Sequence, residues 1–561
     1  MSEAERFPER FFTNGKAAPQ PQALGVVIGG ALSDGLLVRL NTQTVVEGLR
    51  VGSYVAVQGQ TERTFFGYIS DIELSNFNAA LTLPGENTLR RATYEASSLN
   101  KLVKVKLELV SENQELKAVR SVPSHFAKVR RLTKEEATLI FGLQRPQSHL
   151  LGYLVDGEEL AVYLDLQKLT ERSTGVFGRS GTGKTFLTLP LLASIIQHQV
   201  ANVLVFDMHN DYGYNLKGDG NSQQPGLKRL SNIQDRVVVV TLDEQSSMRR
   251  SSGYEIALKI GLDEIEPEDL EALRDVLNFN EVQINTIHAL PKLFNVERWI
   301  YVLADRGTEE ERRRLEELFE SGQLVWRTFN AIRRKLNRLL NFKFITEKST
   351  GAVDKVIKYL STNRSVVVEF GEFGRCTDAY VLVANLLTRR IHDTFVTLKE
   401  EAEAQGRDNS PHLVIVVEEA HRFLDPKVAN LTTFGTIARE MRKYNVTLLI
   451  VDQRPSQIDR EVMSQIGTRI TCALSDEQDI NAVLTGTRDP QRLRSLLNSL
   501  SSKQEALVIG HAVRMPVLVR TRNYNQEAWS EYMHPLDALK PEEQLAKSQQ
   551  RIRPQLTEDL L

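Results

Sequence analysis

The stretch Thr174–Thr185, TGVFGRSGTGKT, decides the fold of this 561-residue chain. Its segment Gly178–Thr185 fits the phosphate-binding loop pattern of a glycine, four residues of any kind, and then Gly-Lys-Thr. Glycines let backbone N–H groups turn inward around a triphosphate, and Lys184 can reach the outer phosphates as a point charge. Thr185 can offer its hydroxyl to Mg²⁺. An apolar helix predicted over 186–196 directs its positive N-terminal end at the phosphates.

A glycine-rich turn can match this pattern by chance. We favour a phosphate loop, because the motif follows a short strand predicted over 174–177 and opens a helix. By itself the motif predicts only that the chain binds a nucleoside triphosphate. The residues expected to contact the nucleotide are Gly178, Arg179, Ser180, Gly181, Thr182, Gly183, Lys184, Thr185 and Phe186.

Composition and charge limit the classes of protein that fit the rest of the chain. Apolar residues make up 41% and charged residues 25%, which is ordinary for a soluble globular protein. The length suggests about three or four domains. The formal net charge of −2 argues against a uniformly basic nucleic-acid coat, so any DNA contact needs a local basic surface such as a pore lining.

Cysteine usage and the N-terminus bear on the compartment. Cys376 and Cys472 have no CxxC partner or nearby histidine pair, which disfavours a metal site or a disulfide framework and fits a reducing compartment. The N-terminus lacks the apolar core of a signal peptide, and no run approaches the length of a membrane span. We therefore expect a cytoplasmic protein without a membrane partner.

Short apolar runs separated by turn residues occupy the first 120 residues. Regular short strands of this kind predict a small β-barrel over 1–120, followed by an exit linker over 121–128. The role of the barrel stays open between an assembly or partner-docking ring and a plain folding module. The predicted strands lie in ALGVVIGG, GLLVRL, VGSYVAVQGQ, FFGYISDIEL and KLVKVKLELV.

A continuous apolar run over 202–206 follows the predicted loop and helix. Continuous rather than alternating apolar residues are typical of a central parallel strand, so the pattern is the start of a doubly wound α/β sheet. Asp207 and Asp211 come just past the end of that strand. They could position water or Mg²⁺, or they could cap a turn. We interpret His209 as structural.

Residues 253–347 have the charge spacing of solvated helices and predict a helical insertion within the α/β core. Two basic clusters fall in it: Arg312–Arg314, and Arg333–Lys335 together with Arg338. They could contact phosphates, but solvated helix faces mixed with glutamates are the favoured interpretation, because basic clustering alone is a weak signal.

The second apolar strand, predicted over 413–417, ends in Glu418 and Glu419. In phosphate-loop ATPases a carboxylate at this strand end holds the Mg²⁺ shell, and the next can orient the attacking water as a general base. The first of these residues is usually aspartate, so the longer side chain of Glu418 is expected to alter the metal geometry. The alternative is a hairpin turn with acids there by chance.

Arginines and a glutamine follow in the next segment. Arg439 and Arg442 lie on a predicted helix, where they could stabilise phosphoryl-transfer charge across a subunit interface or simply pair with Glu440 on the helix surface. Gln453 follows the strand predicted over 446–451, where its amide could sense a terminal phosphate. The tail from 525 onward has too little apolar content for its own core and could brace a neighbouring subunit.

Together these motifs make the chain resemble the HerA family of hexameric DNA-translocating ATPases, within the FtsK–HerA group. The resemblance implies an α/β fold with a RecA-like P-loop NTPase core, an N-terminal β-barrel and a helical insertion. Its implied domains are the barrel (1–120), the core (121–252 and 348–524), the insertion (253–347) and the tail (525–561). The motifs that carry it are GRSGTGKT, VFDMHNDY, VVEEAHRFL, AREMRKY and DQRPSQID.

The resemblance implies an ATPase that uses ATP and Mg²⁺ to move along double-stranded DNA as a homohexameric ring. It also implies a nuclease partner, typically NurA, in DNA end processing or repair. Some relatives instead pair with nuclease or NAD-cleaving effectors in antiviral defence, so an ATPase scaffold for such an effector is the alternative. A conjugative DNA pump fits less well, because no membrane anchor is evident.

The resemblance also assigns roles to individual residues. Lys184 and Thr185 match the ATP and Mg²⁺ positions, Glu418 matches the metal-linked acid, and Glu419 matches the catalytic carboxylate. The remaining catalytic candidates are the sensor Gln453, the helix arginines Arg439 and Arg442, and Arg172, which would act on the adjacent subunit.

Overall fold

The computed structural model describes residues 23–529. The gaps in this range are 61–62, 77–98, 113–114, 143, 156, 218–222, 251, 407–409, 428, 430–431, 488, 502–503 and 523–528. The chain divides into two compact units. One contains the residues up to Gly142 together with Leu154–Leu160, and the other contains Leu143–Tyr153 and the chain from Ala161 onward.

The first unit is a closed β-barrel. Its strands run in the order β2-β1-β7-β3-β4-β5, and antiparallel pairing of β2 with β5 closes the ring, with Val38 opposite Val103. Alternate residues such as Val55, Ile69 and Val105 are buried inside it, which confirms the predicted barrel. The elements are β1 (Ala23–Ala31), β2 (Gly35–Leu40), β3 (Tyr54–Gln58), β4 (Thr64–Asn76), β5 (Leu99–Glu112), β6 (Glu115–Ala118), β7 (Lys128–Arg131) and helix α1 (Lys134–Phe141).

The barrel sheet extends past the predicted boundary at residue 120. Strand β7 lies between β1 and β3, with Val129 paired to both Gly25 and Val57, so the predicted linker over 121–128 ends inside the barrel. The sequence pattern did not predict this strand, because three of its four residues are basic and only Val129 is buried. Helix α1 follows directly, and its first turn is fixed by a capping box between Thr133 and Glu136.

The second unit contains most of one large mixed sheet, with helices; the strand residues within Leu154–Leu160 are counted with the first unit. Its strands are β8 (Ser148–Leu154), β9 (Gly157–Asp165), β10 (Thr174–Phe177), β11 (Asn202–Asp207), β12 (Asn215–Lys217), β13 (Gln223–Pro225), β14 (Val237–Thr241), β15 (Ile256–Ala257), β16 (Ile260–Gly261), β17 (Ile345–Thr346), β18 (Ser365–Glu369), β19 (Leu413–Glu418), β20 (Val446–Asp452), β21 (Thr468–Cys472), β22 (Glu505–Gly510) and β23 (Val517–Thr521). Its helices are α2 (Leu166–Thr170), α3 (Lys184–Gln197), α4 (Glu244–Arg249), α5 (Pro267–Glu271), α6 (Glu281–Phe294), α7 (Trp299–Leu303), α8 (Glu309–Glu320), α9 (Trp326–Leu340), α10 (Ala352–Ser361), α11 (Thr377–Ala404), α12 (His421–Leu424), α13 (Thr433–Glu440), α14 (Arg460–Gln465), α15 (Glu477–Val483) and α16 (Pro490–Asn498).

The 12-stranded sheet has the order β15-β14-β18-β11-β19-β20-β10-β21-β22-β23-β8-β9. Pairing is parallel from β15 to β21 and antiparallel from β21 to β23. Every residue of β11 and β19 is buried, as expected for strands covered on both faces. This is the predicted doubly wound, RecA-like core.

Parallel pairing brings the carboxyl ends of neighbouring strands to one edge of the sheet. Phe177 of β10 is in register with Asp452 of β20, and Asp207 of β11 is in register with Glu369 of β18. Ligands of open α/β sheets bind at this edge. The fold therefore collects the phosphate loop and the strand-end carboxylates in one region.

The predicted insertion is helical from Pro267 to Leu340, spanning α5–α9, and β16 pairs with β17 where the chain enters and leaves it. A buried ion pair is one of the contacts that attach it to the core. Asp269 of α5 lies 2.7 Å from the Arg389 guanidinium of α11 and also accepts a hydrogen bond from Asn385. No helix within the described ranges is both long enough and apolar enough to cross a membrane.

Candidate nucleotide-binding site

The loop between β10 and α3 has a backbone that requires glycine. Gly183 caps α3 with φ at 92°, a left-handed conformation that disfavours other residues. A Cβ on Gly178 would lie 2.7 Å from the Thr182 hydroxyl and 2.8 Å from Cβ of Cys472. The 14-residue helix that follows directs its positive end at the loop. These features are those of an anion-binding loop.

The Lys184 side chain lies within this loop. Its ammonium donates hydrogen bonds to the carbonyl oxygens of Gly178 at 2.7 Å and Arg179 at 3.2 Å. Burial lowers the pKa of Lys184, and the neighbouring Cys472, Glu419, Asp452 and Glu418 act in the opposite direction. The lysine predicted to reach the phosphates therefore faces the carboxylates at the ends of β19 and β20.

The other predicted nucleotide contacts share this loop and the first turn of α3. Arg179, Ser180 and Gly181 are exposed, whereas Thr182 is buried and its hydroxyl donates to the Arg179 carbonyl at 2.8 Å. Thr185 and Phe186 are half-buried. Within the described part of the chain the Thr185 hydroxyl makes no hydrogen bond, so it is available to a ligand.

Glu419 stands at the turn after β19 in a conformation that is unusual for its type. Its φ is 48°, in the left-handed region that costs a non-glycine residue about 1–3 kcal/mol. The Gln453 amide donates to both carboxylate oxygens of Glu419, each at 3.2 Å. The structure thus brings together two residues that the sequence placed 34 positions apart.

His421 and Asp452 extend this group, and neither residue was predicted from the sequence to have a role. The His421 Nδ1 atom lies 3.0 Å from the Asp452 carboxylate and 3.6 Å from that of Glu419. The hydrogen bond to Asp452 raises the pKa of His421. The ligand atoms of these three residues lie within 4.8 Å of one another, a spacing that could hold a metal ion. Asp452 could have been found from its position at the end of an apolar strand.

Glu418 has a different environment. It is 7% exposed; one carboxyl oxygen accepts the Tyr212 hydroxyl at 3.1 Å, and the other is buried without a hydrogen-bond partner among the described residues. Burial, followed by the charge of Asp207, raises the pKa of Glu418 to about 8. The predicted metal ligand is therefore neutral at pH 7 unless a cation is present to offset the cost of ionisation.

Asp207 belongs to the same buried acidic group. Its two carboxyl oxygens accept the backbone N–H groups of Asp211 at 2.9 Å and Tyr212 at 2.8 Å, which confirms the turn-capping interpretation. Burial, together with the charge of Glu369, raises the pKa of Asp207 to about 7. Glu369 is in turn paired with the Arg250 guanidinium at 2.7 Å.

The three predicted arginines do not behave alike. Arg439 lies 3.6 Å from Glu461, so its ion-pair partner is not the Glu440 that we considered, because the fold brings α14 alongside α13. Arg442 and Arg172 are exposed. For these two, no carboxylate of the described residues lies within 4.0 Å of the guanidinium. The single chain therefore leaves both available to another molecule.

The loop, the strand order and the carboxylates at the strand ends define a P-loop ATPase with a RecA-like core. Two family models match the chain in tandem: the HAS barrel domain over residues 24–110 and the central domain of the helicase HerA over residues 149–391. Both matches agree with the resemblance of the sequence motifs to HerA proteins.

Individual proteins are also similar to the chain. The DNA double-strand break repair helicase HerA of Sulfurisphaera tokodaii is 25% identical over 509 residues, covering 89% of this chain and 92% of the relative. The protein of the same name from Pyrococcus furiosus is 24% identical over 402 residues, covering 67% and 70%. The structure of VirB4 of Thermoanaerobacter pseudethanolicus aligns with a TM-score of 0.45 at 14% identity, covering 69% and 99%.

Proposed function

We propose that the chain is the subunit of an ATP-driven motor that moves along double-stranded DNA. The observation that carries the proposal is the junction of the Lys184 loop with the Glu419–Gln453 pair at the carboxyl edge of one parallel sheet. Ligands of open α/β sheets bind at this edge, and a phosphate loop beside a carboxylate that can orient water supplies the parts needed to hydrolyse a nucleoside triphosphate. The DNA substrate is inferred from relatives that are named as DNA double-strand break repair helicases.

At this site the loop from Gly178 to Phe186 would bind the phosphates of ATP, with Lys184 moving from loop carbonyls to phosphate oxygens. Glu419 would accept a proton from the attacking water, because its carboxylate is partly exposed and is held on both oxygens by Gln453. Because Gln453 directly follows β20, a change in its hydrogen bonds at the phosphate could move that strand.

The residues present fit the Mg²⁺ ion that this chemistry needs. The Thr185 hydroxyl makes no hydrogen bond within the described residues, and one Glu418 oxygen is a buried polar atom without a partner there. We assign Mg²⁺ to these two residues. When bound, the ion neutralises charge on the phosphates, and it would also favour the ionised form of Glu418.

A complete site needs a positive charge beside the transferred phosphoryl group. Arg172 and Arg442 are exposed and lack an ion-pair partner in the described chain, so each could reach the ATP of an adjacent subunit. Arg439 stays a candidate despite its contact with Glu461. We therefore propose a homo-oligomeric ring, a hexamer by family analogy, in which each ATP lies between two chains.

The proposed ring works with a NurA-like nuclease in DNA end processing, and the barrel that ends in β7 is proposed as a separate domain for assembly or partner docking. The alternative, a scaffold for an antiviral effector, is not favoured by any observation here. The names of the curated relatives reported above refer to repair of DNA breaks.

The test is an ATPase assay with and without duplex DNA on the wild-type chain and on Lys184→Ala. We expect duplex DNA to accelerate wild-type hydrolysis, and Lys184→Ala to abolish hydrolysis in both conditions because the phosphates lose their charged contact. Normal hydrolysis by Lys184→Ala would refute the site. Identical wild-type rates with and without DNA would refute the motor.

A further inference from the structure

Helix α9 of the insertion has an unusual charge pattern. Its 15 residues, WRTFNAIRRKLNRLL, contain five basic residues and no acidic residue. Its apolar face is buried and holds the helix in the insertion. The buried residues are Phe329, Ile332, Leu336, Leu339 and Leu340. The basic residues are therefore distributed between the edges of that buried face and the surface of the insertion.

Two of the five basic side chains serve the packing of the insertion. Arg333 donates to the Val302 carbonyl at 2.9 Å and lies 3.4 Å from Asp305. Lys335 donates to the Gln283 side chain at 2.9 Å. These contacts hold α9 against α6 and α7 and account for both charges.

The other three form a line on the exposed face. Arg327, Arg334 and Arg338 are exposed and stand seven and four residues apart, which places them along one side of an α-helix. Arg338 is 69% exposed, and its nearest carboxylate, that of Asp378, is 3.9 Å away. Arg306 extends the line, because its guanidinium donates to Asn341 at the end of the helix at 3.3 Å.

The neighbouring helix α8 shows what an ordinary charged surface of this insertion looks like. Arg312, Arg313 and Arg314 are exposed there, but the same 12-residue helix, EEERRRLEELFE, contains six glutamates. The two helices carry three exposed arginines each and differ in whether acids of the same helix offset them. At the start of α9, moreover, Trp326 is 61% exposed.

We propose that the exposed face of α9, formed by Arg327, Arg334, Arg338 and the adjoining Arg306, binds the sugar-phosphate backbone of DNA. This surface rests on the proposed function, which supplies DNA as the substrate. From residue 327 to residue 341 the face extends about 21 Å at 1.5 Å per residue, the length of about six base pairs of duplex. Arginines that meet phosphates without base contacts bind independently of sequence.

The experiment compares two triple variants of the full chain by duplex DNA binding over a range of salt concentrations. One variant combines Arg327→Gln, Arg334→Gln and Arg338→Gln. The matched control combines Arg312→Gln, Arg313→Gln and Arg314→Gln, which removes the same charge from the same insertion. Thermal unfolding checks that both variants are folded, and because the substituted positions are exposed the midpoint is expected to stay close to the wild-type value.

We expect the α9 variant to bind duplex DNA at least about tenfold more weakly than wild type, with the slope of log affinity against log salt smaller by about 2–3. The α8 control is expected to bind like wild type. Equal binding by wild type and both variants would show that the α9 face does not bind DNA. That result would not contradict the proposed motor function. An equal loss of DNA affinity in both variants would mean that net charge alone causes the loss, and it would also refute the α9 proposal.

A wild-type chain that fails to bind duplex would refute the proposed function, and the surface with it. If the α9 variant binds DNA normally but no longer binds a partner protein, the occupant of this face is a protein and the proposal is wrong.

Discussion

Glu418 and Glu419 are consecutive glutamates with opposite environments. Glu418 is buried with Asp207 and Tyr212, and its raised pKa of about 8 keeps it protonated at neutral pH. Glu419 is half-buried, with Gln453 on both of its oxygens. The difference arises from the backbone, because the left-handed φ of 48° at Glu419 breaks the strand one residue after Glu418.

This contrast separates two tasks that one carboxylate could not perform at once. A general base must be ionised and accessible to water, whereas a buried acid is costly to ionise without a cation beside it. We expect Glu419 to perform the first task and Glu418 to stay protonated until a cation binds beside it.

The largest effect is expected for Glu419→Gln. Removal of a general base lowers kcat by about 10²–10⁴-fold, whereas ATP binding persists because the loop is unchanged. Steady-state hydrolysis and fluorescent-nucleotide binding measure the two quantities. Glu440→Gln, which alters an exposed glutamate of α13, is the matched control and should hydrolyse ATP normally. Full activity of Glu419→Gln would show that Glu419 is not the general base.

A smaller loss of rate is expected for Gln453→Ala. Two hydrogen bonds to a carboxylate position Glu419, and losing a bond to a charged group costs about 1.5–3 kcal/mol, so kcat should fall by about 10–100-fold. The control is Gln457→Ala in the 3₁₀ turn just beyond, where the side chain is exposed. If both variants kept wild-type kcat, Gln453 would not position the base.

The smallest expected effect is a change in the pH dependence of the unfolding free energy that comes from Glu418 alone. A carboxyl whose folded pKa is raised loses stability as pH rises through that pKa. With a folded pKa of about 8, Glu418 should cost about 1.4 kcal/mol of unfolding free energy between pH 7 and pH 9. Urea unfolding without Mg²⁺ should show that Glu418→Gln loses this component.

Asp207 contributes its own decline around pH 7, which both the wild type and Glu418→Gln retain. The matched control Glu440→Gln removes an exposed glutamate, keeps the Glu418 carboxyl and should follow the wild-type curve. An unchanged pH dependence in Glu418→Gln would mean that the buried carboxyl is already ionised in the folded chain.

Much of the core was predictable because its signals are local. A phosphate loop is a contiguous pattern, and continuous apolar runs identify the parallel strands on whose ends Glu418, Glu419 and Gln453 lie. The partners of these residues were not predictable. Tyr212 reaches Glu418 across 206 positions, and Asp452 reaches His421 through the pairing of β19 with β20.

The ends of domains were predicted least well. Strand β7 was not predicted, because its single buried valine lies among three basic residues and gives no apolar alternation. Trp529, in the tail that we expected to brace a neighbour, is buried and donates to Gln224 of its own chain at 2.9 Å. A lone tryptophan within a polar segment carries no periodic signal. The tail from 530 onward lies outside the described residues.

The central claim is that each chain supplies only part of an ATP site, with Glu419 on one side and an arginine such as Arg442 from the neighbour. Glu419→Gln and Arg442→Ala should each be inactive alone. If they are co-expressed and form mixed rings, about one interface in four combines an intact Glu419 with an intact Arg442, so activity should recover to about a quarter of the wild-type rate. Mixed rings no more active than either variant alone, or a fully active Arg442→Ala, would contradict the claim.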